Sequence, residues 1–210
     1  MSATKQKKIV FVCTGNTCRS PMAEMILRER LKKLGLKGFS VCSAGIAVKD
    51  GDTINPLSKE VLEENGFKAE EFSSTALSDK ILRDAFAIVC MTEKQREILM
   101  DMRWNALRKT GAEDIENNVR SFAEITGYEI IDPYGKDIEC YRYVFGLLDA
   151  GMSALIEKLE LAKHATVPKP RKPRTSTPKK QSTATPKKRG RPKKTDKKEN
   201  DKTKQGEKVL

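Results

Sequence analysis

The residues best suited to chemistry lie close together near the start of the chain. Cys13 and Arg19 are separated by five residues, follow a short apolar run and lead into a sequence that favours a helix. A loop of this length can turn successive backbone N–H groups toward one point, and a helix N-terminus adds partial positive charge there. Arg19 would add a two-pronged hydrogen bond, and the same field favours a thiolate at Cys13. The spacing therefore predicts an oxyanion site that contains a cysteine nucleophile.

The same two residues also have a blander interpretation. Cys13 is compatible with a small buried hydrophobe at a strand end, and Arg19 with a solvated charge on a helix. Because the pattern of one cysteine and one arginine is short, it does not decide between the two interpretations. The residues between and after Cys13 and Arg19 are more distinctive than the pair itself. Among them, Gly15 is expected to allow the backbone a tight turn.

Alternating strand and helix patterns must position this loop. Apolar and β-branched runs predict strands at residues 9–13, 39–44, 86–91 and, more weakly, 118–122. Amphipathic stretches predict helices at residues 20–34, 56–65, 93–104 and 138–163, the first with Ser20 as its N-cap. This alternation predicts an α/β fold, a single three-layer domain with a four-stranded parallel sheet and an anion-binding loop after strand 1. Function in such sheets lies at the carboxyl ends of the strands.

The wider sequence of the loop resembles a known signature. The run VCTGNTCRSPMAE at residues 12–24 resembles the signature of the low-molecular-weight protein phosphatases. Ser-Ala-Gly at residues 43–45 and Asp-Pro-Tyr at residues 132–134 are similar to two further motifs of that family, in the family's order. The resemblance implies a phosphate-binding loop at residues 13–20, called the phosphate loop below. It also implies a protein phosphatase that works through a cysteinyl-phosphate intermediate, without metal or cofactor.

The resemblance implies a role for each matching residue. Cys13 attacks phosphorus, while Arg19 and the loop amides stabilise the charge on the equatorial oxygens. Asp132 protonates the leaving group and later activates the water that hydrolyses the intermediate. Ser20 is placed to hydrogen-bond the thiolate, and Asn16 with Ser43 holds the loop in a strained shape. The positions expected to bind phosphate or support the loop are Thr14, Gly15, Asn16, Thr17, Cys18, Ser20 and Ser43.

Cys18 is the second cysteine of the phosphate loop. In the family, a cysteine at this position can form a reversible disulfide with the nucleophile, which would make Cys13 and Cys18 a regulatory pair. Cys18 is equally compatible with an inert, buried space-filling residue.

Phosphotyrosine is the default substrate of the family, but two features favour phosphoarginine. Thr17 stands where tyrosine-selective members usually carry an aliphatic residue, and GNTCRS resembles the loop of bacterial protein-arginine phosphatases. Residues 46–51 contain no aromatic, and Tyr134 is followed by Gly135 rather than by a second aromatic. We therefore expect Thr17 and Tyr134 in the substrate pocket. Asp132 would pair with the guanidinium as well as deliver the proton.

Two alternatives on the same fold stay open. Thr17 is also compatible with ordinary loop variation, which would leave a phosphotyrosine phosphatase. An arsenate reductase would pair the loop cysteine with two cysteines close together on one segment. Cys90 and Cys140 lie far apart in the sequence, which disfavours that activity.

The positive charge of the chain is concentrated in a C-terminal tail. The net charge is +12, and residues 165–210 hold 17 Lys and Arg against 4 Asp and Glu, so the domain expected at residues 1–164 is nearly neutral. The tail has no aromatic residue and too little apolar surface to fold alone, which predicts disorder. A solubility-promoting extension is one interpretation. The other is binding of A·T-rich DNA in the minor groove, because the core of an AT-hook is matched by Arg189, Gly190, Arg191 and Pro192.

Other sites and locations are disfavoured. The five cysteines include no CxxC pair and the chain has one histidine, His164, which argues against a disulfide framework and a structural zinc site. The N-terminus lacks a signal-peptide pattern, and no run approaches the ~18 apolar residues of a membrane span. We expect a soluble cytoplasmic protein, associated with the nucleoid if the tail binds DNA. Its partners would be phosphorylated proteins and no membrane, and the oligomeric state stays open.

Overall fold

Four parallel strands position the phosphate loop. The computed structural model describes residues 6–49, 51–69, 72–111 and 118–166, so the tail lies outside the described residues apart from residues 165 and 166. The strands are β1 (Lys7–Cys13), β2 (Phe39–Gly45), β3 (Ala85–Cys90) and β4 (Val119–Ser121). They form one parallel sheet in the order β2-β1-β3-β4. The expected four-stranded parallel sheet is confirmed.

Helices occupy both faces of the sheet. In the described parts of the chain they are α1 (Arg19–Lys33), α2 (Pro56–Glu64), α3 (Asp79–Asp84), α4 (Glu93–Arg108), α5 (Phe122–Thr126), α6 (Ile138–Lys158) and α7 (Leu161–His164). Alternate residues of β1 enter two cores: Ile9 and Phe11 pack with α1 and α6, whereas Val10 and Val12 pack with α3 and α4. The result is the expected three-layer arrangement. Within these four stretches, no helix is long and apolar enough to cross a membrane.

The N-cap of α1 lies two residues earlier than the expected Ser20. The helix begins at Arg19, and Cys18 precedes it without a side-chain cap. Ser20, the expected N-cap, lies inside the first turn, where its hydroxyl is 3.0 Å from the Cys13 sulfur. No side chain caps this helix. The backbone N–H groups of its first turn can therefore serve as donors in the phosphate loop that precedes it.

Short helices account for the other differences. The sequence patterns do not predict α3 and α5, which are capped by the hydroxyls of Ser78 and Ser121. The final helix, expected to continue to residue 163, stops at Lys158. Glu160 takes a left-handed backbone with φ of 49°, and the chain turns there to bring Leu161 into the core.

The described fold continues to Thr166, two residues beyond the expected boundary at residue 164. The Thr166 N–H donates to the Lys37 carbonyl oxygen at 2.9 Å. A Cβ on Gly38 would lie 2.8 Å from the Thr166 methyl group, so the end of the described chain packs closely against the turn before β2.

Candidate active site

Cys13 is the last residue of β1, at the carboxyl edge of the sheet, where ligands bind in folds of this class. Its sulfur lies 3.0 Å from the Ser20 hydroxyl, and the Asn16 N–H donates to it at 3.3 Å. The residue is buried yet lines a cleft. Hydrogen bonds from such donors are stronger to a sulfur anion than to a neutral thiol, so these contacts suit a nucleophilic cysteine.

Asn16 shapes the phosphate loop from inside. Its backbone is left-handed, with φ of 56°, and the residue is fully buried. Its side-chain NH₂ donates to the hydroxyls of Ser20 and Ser43, both at 2.9 Å, and its side-chain oxygen accepts the Thr75 N–H at 2.7 Å. The tight turn expected at Gly15 is therefore made by Asn16, since asparagine tolerates this conformation and Gly15 has no positive φ.

A buried carboxylate on α1 orients this network. The Ser43 hydroxyl donates to Glu24 at 2.6 Å, and Arg28 pairs with the same carboxylate. Ser43 therefore accepts from Asn16, which donates its second amide hydrogen to Ser20, and the Ser20 hydroxyl keeps its own proton for the Cys13 sulfur. Sequence reasoning missed Glu24, although its place inside the signature run was a usable signal.

Two more residues outside the predicted set support the loop. Gln95, in the first turn of α4, donates to the Thr14 hydroxyl at 3.3 Å. Gly45 pairs with Cys13 in the register of the sheet, and a Cβ there would lie 2.8 Å from the Thr14 carbonyl oxygen and 2.9 Å from the Asn16 nitrogen. Gly45 belongs to the Ser-Ala-Gly motif, whereas nothing near Gln95 in the sequence points to the loop.

Arg19 is buried at the base of the cleft with one donor unused. Its terminal nitrogens donate to the Asp132 carboxylate at 2.5 Å and to the Ile130 carbonyl oxygen at 3.3 Å. Its Nε–H is buried and has no hydrogen-bond partner in the described part of the chain. Leaving such a donor unpaired is costly, so Arg19 is prepared for an acceptor that a bound oxyanion would supply.

Asp132 combines a fixed position with access to solvent. One carboxylate oxygen accepts from Arg19, and the other accepts the Tyr134 N–H at 3.2 Å. The Asp132 side chain is 51% exposed and Tyr134 is 71% exposed. The turn before α6 thus holds a carboxylate beside the guanidinium that would bind phosphate, where a leaving group can reach it.

These residues converge on one cleft of about 490 Å³. Three of the predicted residues, Asn16, Ser20 and Ser43, lie buried behind its lining. The segment between β2 and α2 contributes Ala47, Lys49 and residues 52–55 to the lining, next to Pro56 at the start of α2. The other predicted residues line the cleft directly: Cys13, Thr14, Gly15, Thr17, Cys18, Arg19, Asp132 and Tyr134.

Cys18 contacts the protein interior as well as the cleft. Its sulfur lies 3.6 Å from the Tyr141 hydroxyl and 3.5 Å from the Thr17 hydroxyl. Burial, together with the hydrogen bond to Cys18, raises the pKa of Tyr141, so this phenol stays protonated at neutral pH. Cys13 and Cys18 are both free thiols in this structure, and the disulfide between them stays a prediction.

The cysteines that an arsenate reductase would need lie on different elements. Cys90 ends β3, where burial raises the pKa of its thiol to about 12, and Cys140 lies in the first turn of α6. A thiol with so high a pKa does not form a thiolate at neutral pH. In the described stretches, no group of three His, Cys, Asp or Glu side chains is arranged to hold a metal ion.

Known proteins resemble this chain in sequence and in fold. Residues 8–165 match the family described as low molecular weight phosphotyrosine protein phosphatase. The chain is 34% identical over 153 residues to the protein-arginine-phosphatase of Geobacillus stearothermophilus, covering 73% of this chain and 96% of that protein. It is 29% identical over 153 residues, with the same coverage, to the probable low molecular weight protein-tyrosine-phosphatase EpsP of Ralstonia solanacearum. A crystal structure of a YwlE mutant from Bacillus subtilis matches with a TM-score of 0.64 at 26% identity, covering 74% of this chain and 99% of that one. The chain therefore belongs to the low molecular weight phosphotyrosine protein phosphatase family.

Proposed function

We propose that this protein phosphatase prefers phosphoarginine, with Cys13 as its nucleophile and Asp132 as its general acid. As a member of its family, the chain hydrolyses phosphorylated protein side chains through a cysteinyl-phosphate intermediate. The observation that carries the residue assignment is the base of the cleft. There a hydrogen-bonded cysteine sulfur shares the space with the buried Arg19 guanidinium, whose Nε–H is unpaired. These donors suit the oxygens of a phosphoryl group under attack.

The proposed reaction has two steps. The Cys13 sulfur forms a bond to phosphorus while the bond from phosphorus to the guanidinium nitrogen breaks, and Asp132 gives its proton to that nitrogen. The arginine side chain leaves. Water then attacks the cysteinyl-phosphate, Asp132 takes the proton of the water, and inorganic phosphate departs from the Cys13 thiolate.

The ion pair between Arg19 and Asp132 must rearrange in this reaction. In the structure, the Arg19 guanidinium pairs with the Asp132 carboxylate at 2.5 Å. A phosphoryl group bound at the loop would accept the Arg19 donors instead, since it carries more negative charge. Asp132 would then be free to meet the leaving group.

Three observations support arginine over tyrosine. Thr17 lines the cleft and brings a hydroxyl where an aliphatic side chain would favour an aromatic ring. Tyr134 is the one aromatic residue among the described residues that line it. The relative from G. stearothermophilus, at 34% identity, is named a protein-arginine-phosphatase. Relatives named as tyrosine phosphatases match at 29–30% identity, and a second one named protein-arginine-phosphatase matches at 28%, so phosphotyrosine is the competing substrate.

The test is turnover of two peptides of the same sequence that carry either phosphoarginine or phosphotyrosine at one position. We expect a higher kcat/KM for the phosphoarginine peptide. Cys13→Ser is expected to abolish turnover of both, whereas the matched control Cys42→Ser, outside the cleft lining, keeps it. A higher kcat/KM for the phosphotyrosine peptide would show that the arginine assignment is wrong.

Thr17→Ile tests the specificity residue directly. The substitution removes the hydroxyl and restores an aliphatic wall, so the preference is expected to shift from phosphoarginine toward phosphotyrosine. Thr17→Ser keeps the hydroxyl and is expected to retain the wild-type preference. Equal preferences in the two variants would show that the Thr17 hydroxyl does not determine the substrate preference.

We also propose a second function, in which the tail binds A·T-rich DNA and keeps the enzyme at the nucleoid in the cytoplasm. The intact Arg-Gly-Arg-Pro sequence at residues 189–192 favours it over a purely solubilising extension. Glycine lets the backbone approach the groove floor, and the negative potential of a narrow minor groove favours arginine. Deletion of residues 170–210 tests this function, because it is expected to abolish DNA binding.

A further inference from the structure

We propose that Asp52 is a substrate-specificity residue whose carboxylate pairs with the guanidinium of the phosphorylated arginine. The proposal rests on the phosphoarginine function above and assigns a recognition group to that substrate. Asp52 lines the same cleft as Cys13, Arg19 and Asp132, from the segment between β2 and α2.

The backbone of Asp52 is held in place from both sides. Its N–H donates to the Lys49 carbonyl oxygen at 3.2 Å, and its carbonyl oxygen accepts the Ser74 N–H at 3.0 Å. Three residues later, the Asn55 N–H donates to the Thr17 carbonyl oxygen at 2.9 Å. This segment is therefore tied to the phosphate loop itself, so the position of Asp52 relative to a bound phosphoryl group is set by main-chain bonds.

The carboxylate of Asp52, in contrast, has no polar partner within the described part of the chain. The residue is half-buried, and its side chain makes no hydrogen bond or ion pair with any residue that the structure describes. Asp132, the other carboxylate in the lining, is already engaged by Arg19 and by the Tyr134 N–H. Asp52 is thus a second carboxylate of the cleft, without a side-chain partner among the described residues, which can pair with the guanidinium while Asp132 delivers its proton.

The charges of this segment match a phosphoarginine side chain. Lys49 also lines the cleft and adds positive charge that attracts the phosphoryl group, while Asp52 adds a negative charge close to it in sequence. A phosphoguanidinium combines an anionic and a cationic part, and the planar guanidinium donates to a carboxylate through two parallel N–H groups. The ring of phosphotyrosine has no such donors, so a carboxylate at this place contributes to one substrate and not to the other.

The experiment measures kcat/KM of Asp52→Asn on the matched phosphoarginine and phosphotyrosine peptides. Loss of one charge-assisted pair in a partly exposed cleft is expected to reduce the preference for phosphoarginine about 5- to 30-fold. Asp52→Glu keeps the charge and is expected to recover part of the preference. Asp101→Asn, an exposed aspartate on α4 outside the cleft, removes the same charge and is expected to leave the preference at the wild-type value.

The outcomes separate this proposal from the one on which it rests. If the wild-type enzyme prefers phosphotyrosine, the phosphoarginine function is wrong and the role of Asp52 falls with it. If the wild type prefers phosphoarginine but Asp52→Asn lowers both activities equally, or neither, the function stands and Asp52 is not a recognition residue. A selective loss that Asp52→Glu partly restores supports the assignment.

Discussion

Arg19 differs from every other buried polar side chain of the active site. Asn16, Ser20, Ser43 and Glu24 have partners for their side chains, whereas the Arg19 Nε–H has none among the described residues. A buried donor left unpaired costs about 1–3 kcal/mol. Binding of a phosphoryl oxygen at Nε would remove that cost and so would contribute to the affinity for phosphate.

Asp132→Asn tests whether Asp132 is the general acid. With a poor leaving group, we expect turnover to fall by about 10²- to 10⁴-fold, the range for a positioned proton donor. With an activated aryl phosphate the loss is expected to shrink, because such a leaving group needs little help from a proton. Steady-state kcat on the two substrate types is the measurement.

Asp137→Asn is the matched control for this substitution. Asp137 caps α6 five residues further along, and asparagine caps helices as well as aspartate does. We expect wild-type kcat on both substrates. An equal loss on both substrates in Asp132→Asn would mean that Asp132 holds the turn rather than moving a proton.

The end of β2 is the element on which the shape of the phosphate loop depends most directly. Gly45 lies beside Cys13 in the parallel register, and the N–H groups of the next two residues donate to the carbonyl oxygens of Cys13 and Thr14 at 3.0 and 2.9 Å. The strand and the loop therefore share main-chain bonds at a place with no room for a side chain. A change in β2 is transmitted to the catalytic residues without touching substrate.

Gly45→Ala is expected to lower kcat/KM strongly. The new methyl group would lie within 3 Å of the Thr14 carbonyl oxygen and the Asn16 nitrogen, so the loop backbone must move. A displacement of about 1 Å at a catalytic group can cost about 10²-fold in rate, while overpacking lowers stability by about 1–3 kcal/mol.

Gly146→Ala is the control for the added methyl group. Gly146 lies within α6 with open space around it, and the substitution is expected to stabilise the protein by about 0.5–1 kcal/mol without loss of activity. Thermal unfolding and kcat/KM are measured for both variants. Full activity in Gly45→Ala would contradict the close packing between β2 and the loop.

Sequence patterns predicted the elements that depend on neighbouring residues better than the contacts between residues distant in sequence. The phosphate loop, the sheet and the long helices leave patterns within about twenty residues, so Cys13 and Arg19 could be identified from the resemblance of residues 12–24 to a known signature. α3 and α5 are too short to show a period, and only their serine caps mark them. Gln95 reaches Thr14 across 81 positions of sequence, and such a contact has no local signature. The left-handed turn falls on Asn16 rather than Gly15 because the side chain of Asn16 also holds three partners, which sequence spacing does not reveal.

The whole molecule divides its charge between a nearly neutral phosphatase domain and a strongly basic tail. All of the proposed catalytic residues precede residue 135, and the described fold ends its contacts at Thr166. Deletion of residues 170–210 is therefore expected to leave turnover of small phosphate esters unchanged and to abolish DNA binding. If about six phosphates are contacted, the full-length affinity is expected to fall up to ~10³-fold between 50 and 200 mM salt.

Arg191→Ala separates groove recognition from simple charge. It is expected to remove any preference for A·T-rich over G·C-rich duplexes, because the inserted guanidinium reads groove shape. Arg174→Ala removes the same charge outside the Arg-Gly-Arg-Pro sequence and is expected to keep the preference. Equal DNA affinity of the deleted and full-length proteins would refute the tail as the binding element, and equal affinity of the wild type for both duplexes would make it a nonspecific polycation.

The separation of Arg19 and Asp132 by 113 positions sets the order in which the site is completed during synthesis. Chains emerge from the ribosome N-terminus first, so the nucleophile is among the earliest residues made. The carboxylate that pairs with Arg19, and α6 behind it, follow only after more than a hundred further residues. A nascent chain shorter than 132 residues contains Cys13 and Arg19 but lacks Asp132 and α6, whose side chains pack in the same core as Phe11. The active-site cleft is therefore completed only late in translation, once Asp132 and α6 have both been made.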